Sequence, residues 1–284
     1  MKKCLIVFMV LSMMLCFTSC KEETKQENAK KPTINTPSGM TYTEYLEYEK
    51  KLEQERQEKI VNAQWKEHPE DYKIIAFTFD DAPSYSTTNY NHTVTIIEAL
   101  NKYEGAGTLF INGKQLENNG NGLLHYAVQR GFELGNHTYS HAYLDKISKN
   151  EVVEEVTKVN EMVEQQLGIK LKYLRPGYLV VNENVFEVSK ELDMPIIHCS
   201  KNISTKDYDA LSTAESVKST ILNNAYDGAI VLCHGWCAPT AECIEEVCAS
   251  LYERGYRFAT LSELFEFRGN GKVPTGQVIC DAKY

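Results

Sequence analysis

The sequence predicts an α/β domain in which about seven parallel strands, each followed by a helix, close into a somewhat incomplete barrel. Three observations carry this. From Lys73 onward short apolar runs alternate with helix-like stretches, the runs read as strands buried on both faces, and about 200 residues are available, which a barrel of this kind can use. An open doubly wound sheet has the same alternation and remains the structural alternative.

In chain order the strands are Lys73 to Phe79, Thr108 to Ile111, Phe132 to Gly135, Tyr173 to Arg175, Pro195 to Cys199, Ala229 to Cys233 and Arg257 to Thr260. The clearest helix lies between the third and fourth. Ser148 with Glu151 forms a capping box, Val152, Val156, Val159 and Val163 mark its buried face, and Gly168 stops it. Ser212 with Glu215 is expected to open another helix in the same way. In either architecture reactive groups gather where strands end, so polar clusters at those points are read for chemistry.

The chain has 284 residues, 43% apolar and 24% charged, so it contains a folded core. Its formal charge of -9 and the lack of any basic stripe argue against a nucleic-acid partner. Lys2 and Lys3 precede an apolar run from Cys4 to Phe17, which fits a secretory signal over residues 1–19 and is short for a membrane span. Phe17-Thr18-Ser19-Cys20 resembles the lipobox of bacterial lipoproteins, which implies lipidation of Cys20 and a membrane-anchored, exported protein of the cell envelope. Ordinary cleavage after a small residue is the alternative. Residues 20–72 then read as lipidated Cys and charged tether, 73–268 as the domain, and 269–284 as a C-terminal tail. Within the tether, Tyr45, Tyr48 and Leu52 recur at helical spacing, as on a helix laid against the domain or on one that is mostly exposed. Lys21-Glu22-Glu23 resembles the acidic surface-export signal of some outer-membrane lipoproteins.

Thr78-Phe79-Asp80-Asp81-Ala82-Pro83 ends the first strand. Two adjacent carboxylates in an apolar setting repel unless a cation or proton intervenes, which fits a metal ligand beside a base; a turn with a helix cap is the plainer reading. The third strand ends in Gly135-Asn136-His137-Thr138-Tyr139-Ser140-His141. Its two His residues, four apart, are expected on one face of a helical turn, from which both imidazoles reach one ion. With Asp81 they make a His-His-Asp set suited to a divalent metal, zinc first and Co2+, Ni2+ or Mn2+ as substitutes.

These motifs, with Arg175-Pro176-Gly177-Tyr178 and Leu232-Cys233-His234, occur in the order and approximate spacing of the polysaccharide deacetylases, the NodB-like carbohydrate esterases. The chain resembles that family from about Lys73 to about Phe267. The resemblance implies a distorted (β/α) barrel and metal-dependent removal of acetyl groups from N-acetylated polysaccharide. It assigns Asp81, His137 and His141 to the metal, Asp80 to the general base and His234 to the general acid. Arg175 would orient the base and Asp207 would tune the acid. The Tyr178 backbone N–H would face the oxyanion, while Leu232 and Tyr208 would line a pocket for the acetyl methyl. Trp236 is a further candidate sugar contact, or simply an aromatic cover over the barrel end. Ala82, Gly177, Leu179 and Cys199 depart from the family's usual residues, and Asn202 or Ser204 stands where its third motif has an Asp.

Of nine cysteines, Cys199, Cys233, Cys237, Cys243, Cys248 and Cys280 follow Cys20, an even set for which disulfides are expected in an exported chain. Three functions remain open on sequence: an N-deacetylase of peptidoglycan or another N-acetylglucosamine polymer, an O-deacetylase of a polymer such as xylan, and a catalytically silent glycan-binding module.

Overall fold

The computed structural model describes residues 62–83 and 87–283, with isolated positions between 47 and 60. The expected signal peptide, Cys20, and Tyr45, Tyr48 and Leu52 of the tether lie outside the described residues. No helix among the described residues is long and apolar enough to cross a membrane.

The strands are β1 (Lys73–Ala82), β2 (Thr108–Ile111), β3 (Glu133–Asn136), β4 (Ile196–Ile197), β5 (Ile230–His234), β6 (Tyr256–Ala259) and β7 (Val278–Ile279). The helices are α1 (Thr87–Lys102), α2 (Gly113–Asn119), α3 (Gly122–Gln129), α4 (Lys149–Leu167), α5 (Glu183–Glu191), α6 (Ala214–Asn224), α7 (Ala238–Glu253) and α8 (Leu261–Arg268). β1 is the central strand, buried from Ile74 to Asp80, as a continuous apolar run dictates. It pairs in parallel with β5 along Ala76–Asp80, with β6 along Lys73–Ala76 and with β2 along Thr78–Ala82; β3 continues beyond β2.

The far side of the sheet is more irregular than the sequence suggests. Tyr173–Arg175 contracts to one bridging residue, Leu174, which pairs with Asn136 on one side and Ile196 on the other. Pro176 has no N–H with which to prolong that ladder. Pro195–Cys199 contracts to β4, which pairs with β7, a strand within the stretch read as a tail. Closure runs through loop backbone: Ser200 N–H donates to Ile230 O (2.9 Å), Thr205 N–H to Leu232 O (3.1 Å), and Ser204 bridges Leu232. The sheet thus returns to β5 as a distorted barrel, which excludes the open-sheet alternative.

Side-chain alternation along β1 divides the core. Ile74 and Ala76 turn inward with Phe110, Ile197, Ile230 and Ala259, while Ile75, Phe77 and Phe79 turn outward beneath the helices. Trp65, Leu264 and Phe265 pack into the inner cluster, and Arg268 ties this end to Pro69 O (2.8 Å) and to Tyr72 O. Ile60, Ala63 and Trp65 are buried, so the folded body includes chain that the sequence assigns to the tether.

The α4 capping box, its four buried valines and the left-handed Gly168 (φ 68°) are as expected. α6 starts one residue later than Ser212 with Glu215 would set it. Thr213 and Ser216 exchange the capping hydrogen bonds (3.1 and 2.9 Å), and Glu215 pairs with Lys218 at 2.7 Å instead. The disulfide expectation is overturned: Cys199, Cys233, Cys237, Cys243, Cys248 and Cys280 are all free thiols. Four of them, Cys233, Cys237, Cys243 and Cys248, are buried and fill space as small apolar side chains. Burial pushes the Cys243 thiol up to about 11.

Candidate active site

In a regular strand, neighbouring side chains point to opposite faces, so Asp80 and Asp81 could not both reach one site. The register between β1 and β2 shifts between Phe79 and Ala82, and Asp81 takes a left-handed φ of 61°. This bulge turns the second carboxylate to the same side as the first. His137 Nε2 is then 3.9 Å from Asp80 Oδ2 and 3.7 Å from Asp81 Oδ1. Asp80 is bound to Arg175, whose Nη1 donates to its Oδ1 at 2.8 Å and to Thr78 Oγ1 at 2.7 Å. Nε and Nη2 of the same guanidinium donate to Ile197 O and His198 O, so a fully buried Arg is satisfied on every side. Burial opposes ionisation of Asp80, but the Arg175 charge, with His137 and His234 behind it, outweighs burial and holds the carboxyl below its ordinary range. Burial and the same guanidinium lower the neighbouring His198 imidazole to about 4.

The two-histidine segment is not the helical turn expected; it is a loop in which Thr138 and His141 both take positive φ (65° and 59°). Such backbone costs about 1–2 kcal/mol per residue and persists only where neighbours fix it. The neighbours are identifiable. Asn136 Oδ1 accepts the Thr138 N–H, and Asn136 Nδ2 reaches Val156 O and Asn160 Oδ1, each at 2.8 Å. Glu155 takes both the N–H and the hydroxyl of Ser140 (2.8 and 2.6 Å). Gly113 allows the close approach, since a Cβ there would lie 3.0 Å from the Tyr139 Cα.

This loop delivers His141 Nε2 to 3.8 Å from Asp81 Oδ1, the oxygen that also faces His137. These separations are too long for hydrogen bonds and close to the spacing of roughly 3.3 Å between donors sharing one tetrahedral zinc. The ligand atoms of Asp81, His137 and His141 all lie within 4.8 Å of one another. His137 Nδ1 is 2.8 Å from Arg175 O; as the donor in that contact it leaves Nε2 unprotonated, the tautomer a metal requires. Burial and the His137 charge lower the His141 imidazole despite Asp81 and Asp80, favouring the neutral form. The residues present therefore fit a divalent cation.

β1 and β5 place Asp80 beside His234 in register. His234 Nδ1 is 2.8 Å from Asp207 Oδ1, and its Nε2 faces Asp81 Oδ2 at 4.0 Å. Asp207 is buried and accepts two further bonds at Oδ2, from the His234 N–H (2.8 Å) and from Thr240 Oγ1 (2.5 Å). Burial would lower His234, but the Asp207 hydrogen bond and charge, aided by Asp80 and Asp81, raise it. Cys237 also lies within ligand distance of Asp207 and His234, but their mutual bond already occupies the facing atoms.

Around these groups, Leu232 is buried next to His234 on β5, and Tyr208 meets the His234 ring edge-on at 5.1 Å. Trp236 lies 5.7 Å from the same ring. Tyr178, at φ 58°, contacts the His141 ring at 4.5 Å and stacks flat on Tyr143. All the sequence-predicted site residues of the domain thus gather at one end of the barrel. Sequence reasoning missed Asn136, Glu155, Asn160, Thr240 and Tyr143. Glu155 and Asn160 had a faint signal, as polar residues beside the buried valine stripe of α4.

A family model described as polysaccharide deacetylase matches residues 67–197. The domain belongs to the polysaccharide deacetylase family. The chain is 33% identical over 193 residues to the peptidoglycan-N-acetylglucosamine deacetylase PgdA of Listeria monocytogenes, covering 68% of this chain and 39% of that protein. It is 29% identical over 199 residues to a bifunctional xylanase/deacetylase of Pseudobutyrivibrio xylanivorans, covering 69% and 31%. Its fold superimposes on the peptidoglycan deacetylase PdaC of Bacillus subtilis with a TM-score of 0.62 at 26% identity, covering 69% of this chain and 92% of that structure. The chain spans about a third to two-fifths of the length of the two curated relatives it matches here.

Proposed function

We propose that this chain is a metal-dependent hydrolase that removes acetyl groups from N-acetylated glycans, with peptidoglycan the first substrate to test. The position of the Asp81 carboxylate carries the reading: one oxygen faces His137 and His141, the other faces His234. Asp81, His137 and His141 would hold the cation, zinc first by their chemistry, and when bound it would polarise the acetyl carbonyl and acidify water toward a pKa of roughly 7. Asp80, kept ionised by Arg175, would accept the proton of the attacking water. The Tyr178 N–H would face the developing oxyanion. His234, kept protonated by Asp207, would give its Nε2 proton to the departing amine, which cannot leave as an anion. Leu232 and Tyr208 would border the acetyl methyl.

An ester asks less of the acid, and the named xylanase/deacetylase relative favours an O-deacetylase as the second reading. The deciding measurement is acetate release from acetylated chitooligosaccharides, peptidoglycan and acetylated xylan, with and without chelator, beside Asp80→Asn. Release from the amide substrates, abolished by chelator and by the substitution, is expected. Release from xylan alone supports the ester reading; glycan binding without release from any substrate supports a binding module.

The reading includes export and anchoring through a lipid on Cys20, with surface exposure as its extension. Palmitate labelling lost in Cys20→Ala is the expected result, and protease shaving that leaves the protein uncut on intact cells removes the surface placement.

A further inference from the structure

Tyr143 and Tyr178 form a stack at the edge of the active site. Their ring centroids are 3.8 Å apart with the planes 2° from parallel, and each residue is about half exposed, 50% and 53%. Tyr178 in turn touches the His141 ring at 4.5 Å, so Tyr143 lies one ring further out from the cation site. Two aromatic rings left to themselves favour offset or edge-on geometry over a parallel face-to-face pair. Here the backbone sets the geometry. Tyr143 immediately precedes the fully buried Leu144, the next residue, Asp145, has its carbonyl bound by Asn182 Nδ2 (3.3 Å), and Tyr178 sits in a fixed left-handed turn. The exposed ring is therefore held in place before any ligand arrives, which limits the ordering entropy that binding must overcome. Across the site Tyr208, 57% exposed, stands against His234. Aromatic surface thus flanks the Asp and His cluster on two sides.

We infer that Tyr143 is a substrate-binding residue: the Tyr143–Tyr178 stack carries a sugar ring neighbouring the one deacetylated, making the enzyme selective for oligomers over single sugars. A tyrosine ring offers an apolar face to the C–H side of a pyranose and a hydroxyl at its edge for the sugar's polar rim. The inference rests on the deacetylase reading above and extends its substrate to a chain of at least two residues straddling the rim.

The test uses the full chain and N-acetylglucosamine oligomers from dimer to hexamer, with wild type, Tyr143→Ala, Tyr143→Leu and Tyr143→Trp. The expected result is a KM raised roughly threefold to tenfold by Ala and Leu, growing with oligomer length and exceeding any change in kcat, with Trp close to wild type. Equal KM across the set overturns the inference, as does a kcat loss uniform over all lengths, which marks a brace for Tyr178 instead. If wild type releases no acetate, the deacetylase reading fails on its own, and the dissociation constants of the same oligomers decide this one. Weaker binding by Ala and Leu supports it, and unchanged binding overturns it.

Discussion

Arg175 and Asp80 are joined at 2.8 Å inside the barrel, a guanidinium that is fully buried against a carboxylate 4% exposed. Removing one member leaves the other charge uncompensated. Arg175→Met is expected to lower stability by about 3–5 kcal/mol, read by denaturant unfolding, along with loss of activity. Because Asp80 titrates below its ordinary value in the folded protein, its share of stability is fully present above pH 3.8. It is lost as pH falls through the lower folded value, so acid unfolding of Arg175→Met should begin at higher pH than in wild type.

His234 depends on Asp207 for its proton. Its folded value is raised above 6.5, so the acid form persists above that pH and is lost as pH rises through the folded value. Asp207→Asn should move the basic limb of the kcat/KM profile toward acid and lower the maximum by roughly 10²–10⁴-fold on an amide substrate. An acetate ester should suffer less in the same variant. A basic limb that stays in place would show that another group supplies the proton.

Cation removal should abolish turnover, and zinc should restore it. His137→Ala and His141→Ala should each bind less than one equivalent under conditions where wild type binds one, measured by elemental analysis after gel filtration.

Glu155 touches no reacting group, yet it holds the Ser140 amide and hydroxyl of the two-histidine loop. Glu155→Ala should weaken zinc affinity about 10- to 100-fold in a competitive chelator titration. Affinity equal to wild type would mean that Asn136 and Gly113 fix the loop unaided.

The thiols give a separate check. Cys199 through Cys280 should all react under denaturing, non-reducing conditions, and reductant should leave Tm unchanged. Cys233 and Cys248, both 0% exposed, should resist alkylation in the native protein.

The burial of β1 on both faces, the α4 boundaries and the order of the motif residues were legible because each depends on local patterning: a continuous apolar run, a capping box, a left-handed glycine. The bulge at Asp81 and the left-handed residues Thr138 and His141 were not, since their cost is met by contacts from α4 and β2 that no local window contains. β7 escaped for a similar reason: two residues carry no periodicity, and only pairing with β4 makes them a strand. The cysteines misled because an even count in a chain read as exported favours bridges, whereas Cys233, Cys237, Cys243 and Cys248 fill the core singly.

The sequence has two tryptophans, and the barrel separates them. Trp65 is sealed into the scaffold with its indole N–H on Glu104 O, while Trp236 borders the His234 imidazole. Fluorescence therefore comes from one constant emitter and one that senses protonation and occupancy nearby. With Trp65 replaced by Phe, the remaining signal would report ligand arrival in real time, with no label attached.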